Sequence, residues 1–179
     1  EKVVTTQQQQ TFISIPKKNH GINIIVNSGY LWDTSQKNAI ERGNLVHDIM
    51  SQIKTKGDID FTLENFISAA IINPSQAIEL KTVVENIVNH PLLTYLFSPE
   101  LTVYNEKDII TKQGEILRPD RIVINTKNEA TIVDYKTGSP NNSHVKQIET
   151  YSSALRDMLY NVKKGILIYT NDSIEIKEV

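Results

Sequence analysis

The chain has 179 residues, 39% hydrophobic and 22% charged, the make-up of a soluble globular domain whose core needs no covalent staples. It has no cysteine, which excludes disulfides, thiolate nucleophiles, cysteine zinc sites and iron–sulfur clusters, and no apolar run approaches the roughly 20 residues that span a membrane. Its net charge of −2 excludes a domain that holds nucleic acid by basic surface alone, so contact with DNA would need metal ions, a local basic strip or a neighbouring domain.

The opening residues carry the run Gln7 to Gln10 and little apolar content, so residues 1–20 are expected to form a linker or arm. Ile22, Ile24, Ile25 and Val26 suit a short strand before the turn Asn27-Ser28-Gly29. Asp33, Thr34 and Ser35 offer N-caps for a helix to about Lys54, with Val46, Ile49, Met50 and Ile53 as its apolar stripe. A second helix is expected from about Thr62, burying Leu63, Phe66, Ile67, Ala70 and Ile71. Asn73 then caps a third, with Pro74 at its first position and Ala77, Leu80, Val84, Ile87 and Val88 inward, ending near His90-Pro91.

The pattern changes to three successive strands, 101–111, 116–125 and 130–136, joined by short polar turns at Lys112-Gln113-Gly114 and at 126–129. A helix is expected from about Ser143 to Tyr160, with Val145, Ile148, Leu155 and Leu159 facing in. Residues 165–170 suit a buried strand, Asn171-Asp172 a turn, and Ile174 and Ile176 mark a final alternating strand. Helices, a meander, a helix and one or two strands give an α/β or α+β layout with a mixed sheet. A helical part of about 33–97 precedes a sheet core of about 100–179.

Alternation along a strand puts Asp134 and Lys136 on one face and Val133 and Tyr135 on the other. With the turn at 126–129, Asp120 lies approximately opposite Asp134, so two carboxylates and a lysine converge at one sheet edge. Two adjacent carboxylates repel unless a cation sits between them, and hard oxygen ligands suit Mg²⁺ or Mn²⁺. Such an ion lowers the pKa of water and offsets charge on a phosphate, while a lysine positions the water; together these parts describe phosphodiester hydrolysis. Taken alone, an Asp-x-Lys on a strand is most often a surface salt bridge. His90 is expected to cap a helix end, His144 to sit near the Asp–Lys edge as a candidate contact to DNA, and Lys163-Lys164 to be solvated. Arg121 should face away from Asp120.

Arg118-Pro119-Asp120-Arg121, followed by Val133-Asp134-Tyr135-Lys136-Thr137-Gly138, resembles the core signature of the RecB-like branch of the PD-(D/E)XK nucleases, the exonuclease V type found at the end of bacterial recombination helicase–nucleases. Gly43-Asn44-Leu45-Val46-His47 is similar to the family's early histidine helix, Glu106 to a glutamate before the first aspartate, and Gln147 to Tyr151 to its Gln-x-x-x-Tyr. The resemblance implies a restriction-endonuclease-like core within residues 21–179, with an N-terminal helical extension. It implies His47, Asp120, Asp134 and the backbone carbonyl of Tyr135 as metal ligands, Lys136 as the group orienting water, Glu106 as an aid to the metal shell, and Gln147 and Tyr151 as DNA contacts or braces.

The activity that the resemblance implies is that of a Mg²⁺- or Mn²⁺-dependent deoxyribonuclease, an exonuclease for preference, without an iron–sulfur cluster and acting in DNA recombination and repair. A helicase motor in the same full-length chain is the expected partner, in the cytoplasm and not at a membrane; the start at Glu1 rather than Met agrees with a fragment of something longer. The alternatives are a catalytically silent domain that binds DNA or docks on a motor, and a structural module whose Asp and Lys make salt bridges.

Overall fold

A computed structural model describes residues 35–170 and 173–179. The arm, the strand expected over 22–26, the turn after it, the caps Asp33 and Thr34 and the Asn171-Asp172 turn lie outside the described residues.

Helix α1 (Ser35–Gln52) carries the expected stripe, and Val46, Ile49, Met50 and Ile53 are each at most 1% exposed. Helix α2 (Ile59–Ser68) begins three residues earlier than its apolar pattern suggests. Asp58 accepts hydrogen bonds from the Lys54 and Thr55 amides and the Thr55 hydroxyl, which closes the preceding turn and brings Ile59 into the core. Its other end also differs from expectation. Ala70 takes a left-handed φ of +55°, Ile71 is exposed and Ile72 is buried in its place. Helix α3 (Pro74–Val88) starts as expected: Asn73 and Gln76 bond reciprocally, side chain to backbone, at 2.9 Å each way. Its residues Ala77, Leu80, Val84, Ile87 and Val88 are buried.

The first two expected strands each break in two. Strand β1 (Thr102–Asn105) ends at Glu106, whose φ of +46° turns the chain, and β2 (Ile109–Ile110) comes after the turn. Strand β3 (Ile116–Leu117) stops before Pro119, which has no N–H to offer a ladder, and β4 (Arg121–Ile124) resumes beyond it. As a result β2 and β3 form a separate ribbon. Strand β5 (Glu129–Lys136), helix α4 (Asn142–Asp157), β6 (Asn161–Thr170) and β7 (Ile174–Glu178) complete the described chain. The five-stranded sheet has the order β1-β4-β5-β6-β7, with β5 and β6 parallel and the other pairs antiparallel. Helix α4 supplies the long crossover that a parallel pair requires.

Alternation divides the sheet between two cores. Val103, Val123, Val133, Tyr135, Ile166 and Ile168 pack with α1, α2 and α3. Ile122, Ile124, Ile132, Leu167 and Tyr169 pack with Ile148, Tyr151 and Leu155 of α4. Each buried aliphatic side chain contributes about 1.5–3 kcal/mol. Gly165 lets α4 sit close, since a Cβ there would overlap the Ile148 methyl. Leu159 departs from the expected inner face: α4 ends at Asp157, and Leu159 has a φ of +66° and is 85% exposed. The fold is therefore mixed α/β with an N-terminal helical part, consistent with a restriction-endonuclease-like core.

Candidate active site

The register of β4 against β5 pairs Arg121 with Val133, so one step further along Asp120 stands opposite Asp134. Asp134 is 1% exposed. Lys136 Nζ lies 2.6 Å from Asp134 Oδ2, a close ion pair. Burial first, and then the neighbouring Asp120, push the Asp134 carboxyl up to about 6. The amine of Lys136 also donates to Gln147 Oε1 at 2.8 Å. Gln147 Nε2 donates to the Tyr151 hydroxyl at 2.7 Å, which donates in turn to the Arg118 carbonyl at 3.2 Å. Gln147 and Tyr151 thus brace the lysine from α4.

Asp120 divides its two oxygens. Oδ2 accepts from the Tyr135 amide at 2.7 Å, and Oδ1 lies 3.0 Å from His47 Nε2. The other imidazole nitrogen is 3.3 Å from Glu106 Oε1. The hydrogen bond to Asp120 raises the pKa of His47 against the opposing effect of burial, with the charges of Asp120, Glu106 and Asp48 adding to the rise. Gly43 permits this approach of α1, because a Cβ there would overlap the Thr137 methyl just past β5. His47, Glu106, Asp120, Asp134, Lys136, Gln147 and Tyr151 are therefore joined, through side-chain contacts or strand register, in one cluster.

Among the described residues, no three His, Asp or Glu side chains already surround a common ion position. His47 and Asp120 satisfy each other directly. The donor chemistry nevertheless fits a hard divalent cation: two carboxylates and an imidazole lie in one cluster, and the buried Asp134 carboxylate has already drawn in one cation, the Lys136 ammonium. A divalent cation there would stabilise the ionised form of Asp134 against the burial and the Asp120 charge that oppose it.

Residues 26–177 match the model of the PD-(D/E)XK nuclease superfamily. The chain belongs to that superfamily. Members of the PD-(D/E)XK superfamily generally use Mg²⁺ or Mn²⁺. A crystal structure of the protein SSO0001 is similar over 80% of this chain and 77% of that one, at 19% identity and a TM-score of 0.33. No curated protein gives a significant sequence match. Among the described residues, no helix is long and apolar enough to cross a membrane.

Two features of this PD-(D/E)XK domain carry no clear signal in the sequence. Arg121 does face away from Asp120, but the sequence does not point to the four oxygens it binds; the signal available is an arginine opening the apolar run Arg121-Ile122-Val123-Ile124. His144 Nδ1 lies 3.1 Å from the hydroxyl of Tyr169, which is fully buried. His90 accepts from the Leu92 amide, beyond the end of α3.

Proposed function

We propose that the chain is a Mg²⁺- or Mn²⁺-dependent deoxyribonuclease of the RecB-like kind, with residues 21–179 as its nuclease domain. The observation that carries this is the buried Asp134 opposite Asp120, with the Lys136 ammonium at 2.6 Å. Asp120, Asp134 and His47 would hold the cation, together with the carbonyl of Tyr135, and Glu106 would support its outer shell. A bound cation supplies charge neutralisation at the phosphate and a lower pKa for water.

The chain's own groups do the rest. Lys136, held by Gln147, donates a hydrogen bond to the attacking water and aims it at phosphorus. The water oxygen forms the new P–O bond and gives up a proton to solvent, the bond to the leaving sugar oxygen breaks, and that oxygen takes up a proton from solvent, so that one water is consumed and a phosphomonoester and an alcohol are formed. Tyr135 keeps Asp120 oriented through its amide. The hydrogen bonds from Lys136 to Gln147 and from Gln147 to Tyr151 support these two residues as braces of the lysine. The mild acidity of the chain suits a nuclease that receives DNA from a helicase motor in a longer protein, working in recombination and repair in the cytoplasm.

The test is incubation of the purified chain with linear and with closed circular DNA, single- and double-stranded, in Mg²⁺ or Mn²⁺. Loss of linear substrate that EDTA and Asp134→Ala both stop, with circles intact, is the expected result and marks an exonuclease. Cutting of circles would make it an endonuclease. DNA binding without cutting in any arm would favour a catalytically silent, DNA-binding domain.

A further inference from the structure

Behind the acidic cluster, on the opposite face of the sheet, Asn105 and Arg121 stand directly across from each other on β1 and β4. Each is the chain neighbour of a cluster residue, Glu106 and Asp120 respectively. Arg121 is 1% exposed. Its Nη1 donates to the Ile53 carbonyl at 2.7 Å and to Asn105 Oδ1 at 3.3 Å, and its Nη2 donates to the carbonyls of Lys54 and Leu96 at 2.8 and 2.9 Å. The guanidinium also stacks over Phe97, 4.3 Å from the ring centre. Asn105 Nδ2 donates to the carbonyls of Ser51 and Ile53 at 2.8 and 3.0 Å.

All of these acceptors are neutral, and most belong to the last turn of α1 or the residues just past it. Carbonyls there lack partners within the helix, and a cation is favoured at that end of the dipole. A buried guanidinium is nevertheless a costly way to fill a core that a methionine or leucine would fill with less desolvation. Its contribution is geometric. The apolar stripe of α1 can slide on a hydrophobic sheet, whereas directed hydrogen bonds fix one register. One residue of slippage is about 1.5 Å along the axis, enough to break the 3.0 Å contact between His47 and Asp120.

We propose that Asn105 and Arg121 are positioning residues that lock the end of α1 to the sheet and thereby hold His47 against Asp120 and Glu106. On β1 and on β4, then, one residue points into the cluster while its neighbour grips the helix that carries the third member. The inference rests on the assignment of His47 as a metal ligand under the proposed function.

Calorimetric titration with Mn²⁺ tests it, using wild type, Asn105→Ala, Arg121→Lys, His47→Ala and the double variant His47→Ala with Asn105→Ala, each first checked for folding by thermal melting. Asn105→Ala and Arg121→Lys are expected to weaken Mn²⁺ binding about 10-fold. In the His47→Ala background the second substitution should change affinity by less than about 2-fold, because the group being positioned is gone. A folded Asn105→Ala protein with wild-type affinity overturns the proposal, and so does an equal loss in both backgrounds; Asn105→Ala decides alone if Arg121→Lys fails to fold. No Mn²⁺ binding by wild type would instead overturn the metal assignment. Amide exchange of the metal-free protein then decides the lock: faster exchange across 43–52 alone in Asn105→Ala supports it, and a uniform or absent change overturns it.

Discussion

Asp134 concentrates the conflict between stability and chemistry in this molecule. Its carboxyl is raised to about 6 in the folded protein by burial and by Asp120, against about 3.9 in an unfolded chain. The folded state therefore holds more protons than the unfolded state between those values, and stability falls as pH rises through them. His47 is raised as well, so its contribution is full below about 6.5 and is lost as pH rises through its folded value. Both groups predict a metal-free protein whose melting temperature declines from pH 5 to pH 8. The lowered carboxylates Asp58, Asp108 and Glu129 act only in more acidic solution. Asp134→Asn should flatten the decline and stabilise the metal-free protein at pH 8 by on the order of 1–3 kcal/mol, while abolishing cleavage. Mg²⁺ or Mn²⁺ should raise the wild-type melting temperature more at pH 8 than at pH 5, since binding requires the ionised carboxylate. A melting temperature that rises steadily with pH without metal would contradict the environment assigned to Asp134.

Helices α1 and α4 deliver side chains to the sheet by different devices. Helix α1 approaches through Gly43, whose place for a Cβ is taken by the Thr137 methyl. Gly43→Ala should destabilise the wild type, although alanine is favoured over glycine in a helix by about 1 kcal/mol. In a Thr137→Ser background, which removes that methyl and leaves the Cβ of residue 137 at 3.1 Å, the same substitution should cost distinctly less; equal effects in the two backgrounds would remove the methyl contact as the reason for the glycine. Helix α4 holds Lys136 through Gln147, and Gln147→Ala should lower kcat about 10-fold with the KM for DNA little changed. A raised KM with kcat preserved would make Gln147 a substrate contact instead.

Much of this is legible in the sequence because it depends on period and on short turns. The period of two places Asp134 beside Lys136, and the turn at 126–129 sets Asp120 opposite Asp134. The reciprocal cap of Asn73 and Gln76 lies in local chemistry and is equally readable in its Asn73-Pro74 start. The breaks at Glu106 and Pro119 escape such a reading, because apolar residues on both sides mimic continuous strands. The partners of Arg121 are hidden for another reason: they are mostly backbone carbonyls, and any sequence supplies those.

Over the whole molecule, a net charge of −2 limits how DNA can be held. Few phosphates can be neutralised without divalent ions, so the isolated chain should bind DNA weakly in EDTA, with a shallow dependence of log K on log salt. A steep slope of about −6 or beyond would reveal a basic surface that the net charge conceals. The assignment as a nuclease turns most directly on separating metal binding from cleavage at the two residues of the Asp-x-Lys pair. Mn²⁺ affinity and DNA degradation are measured side by side for wild type, Asp134→Ala and Lys136→Ala. Neither variant is expected to cut; Asp134→Ala should lose metal binding sharply, and Lys136→Ala should keep it. Equal loss of metal in both variants, or cleavage surviving in either, would contradict the roles assigned to the pair.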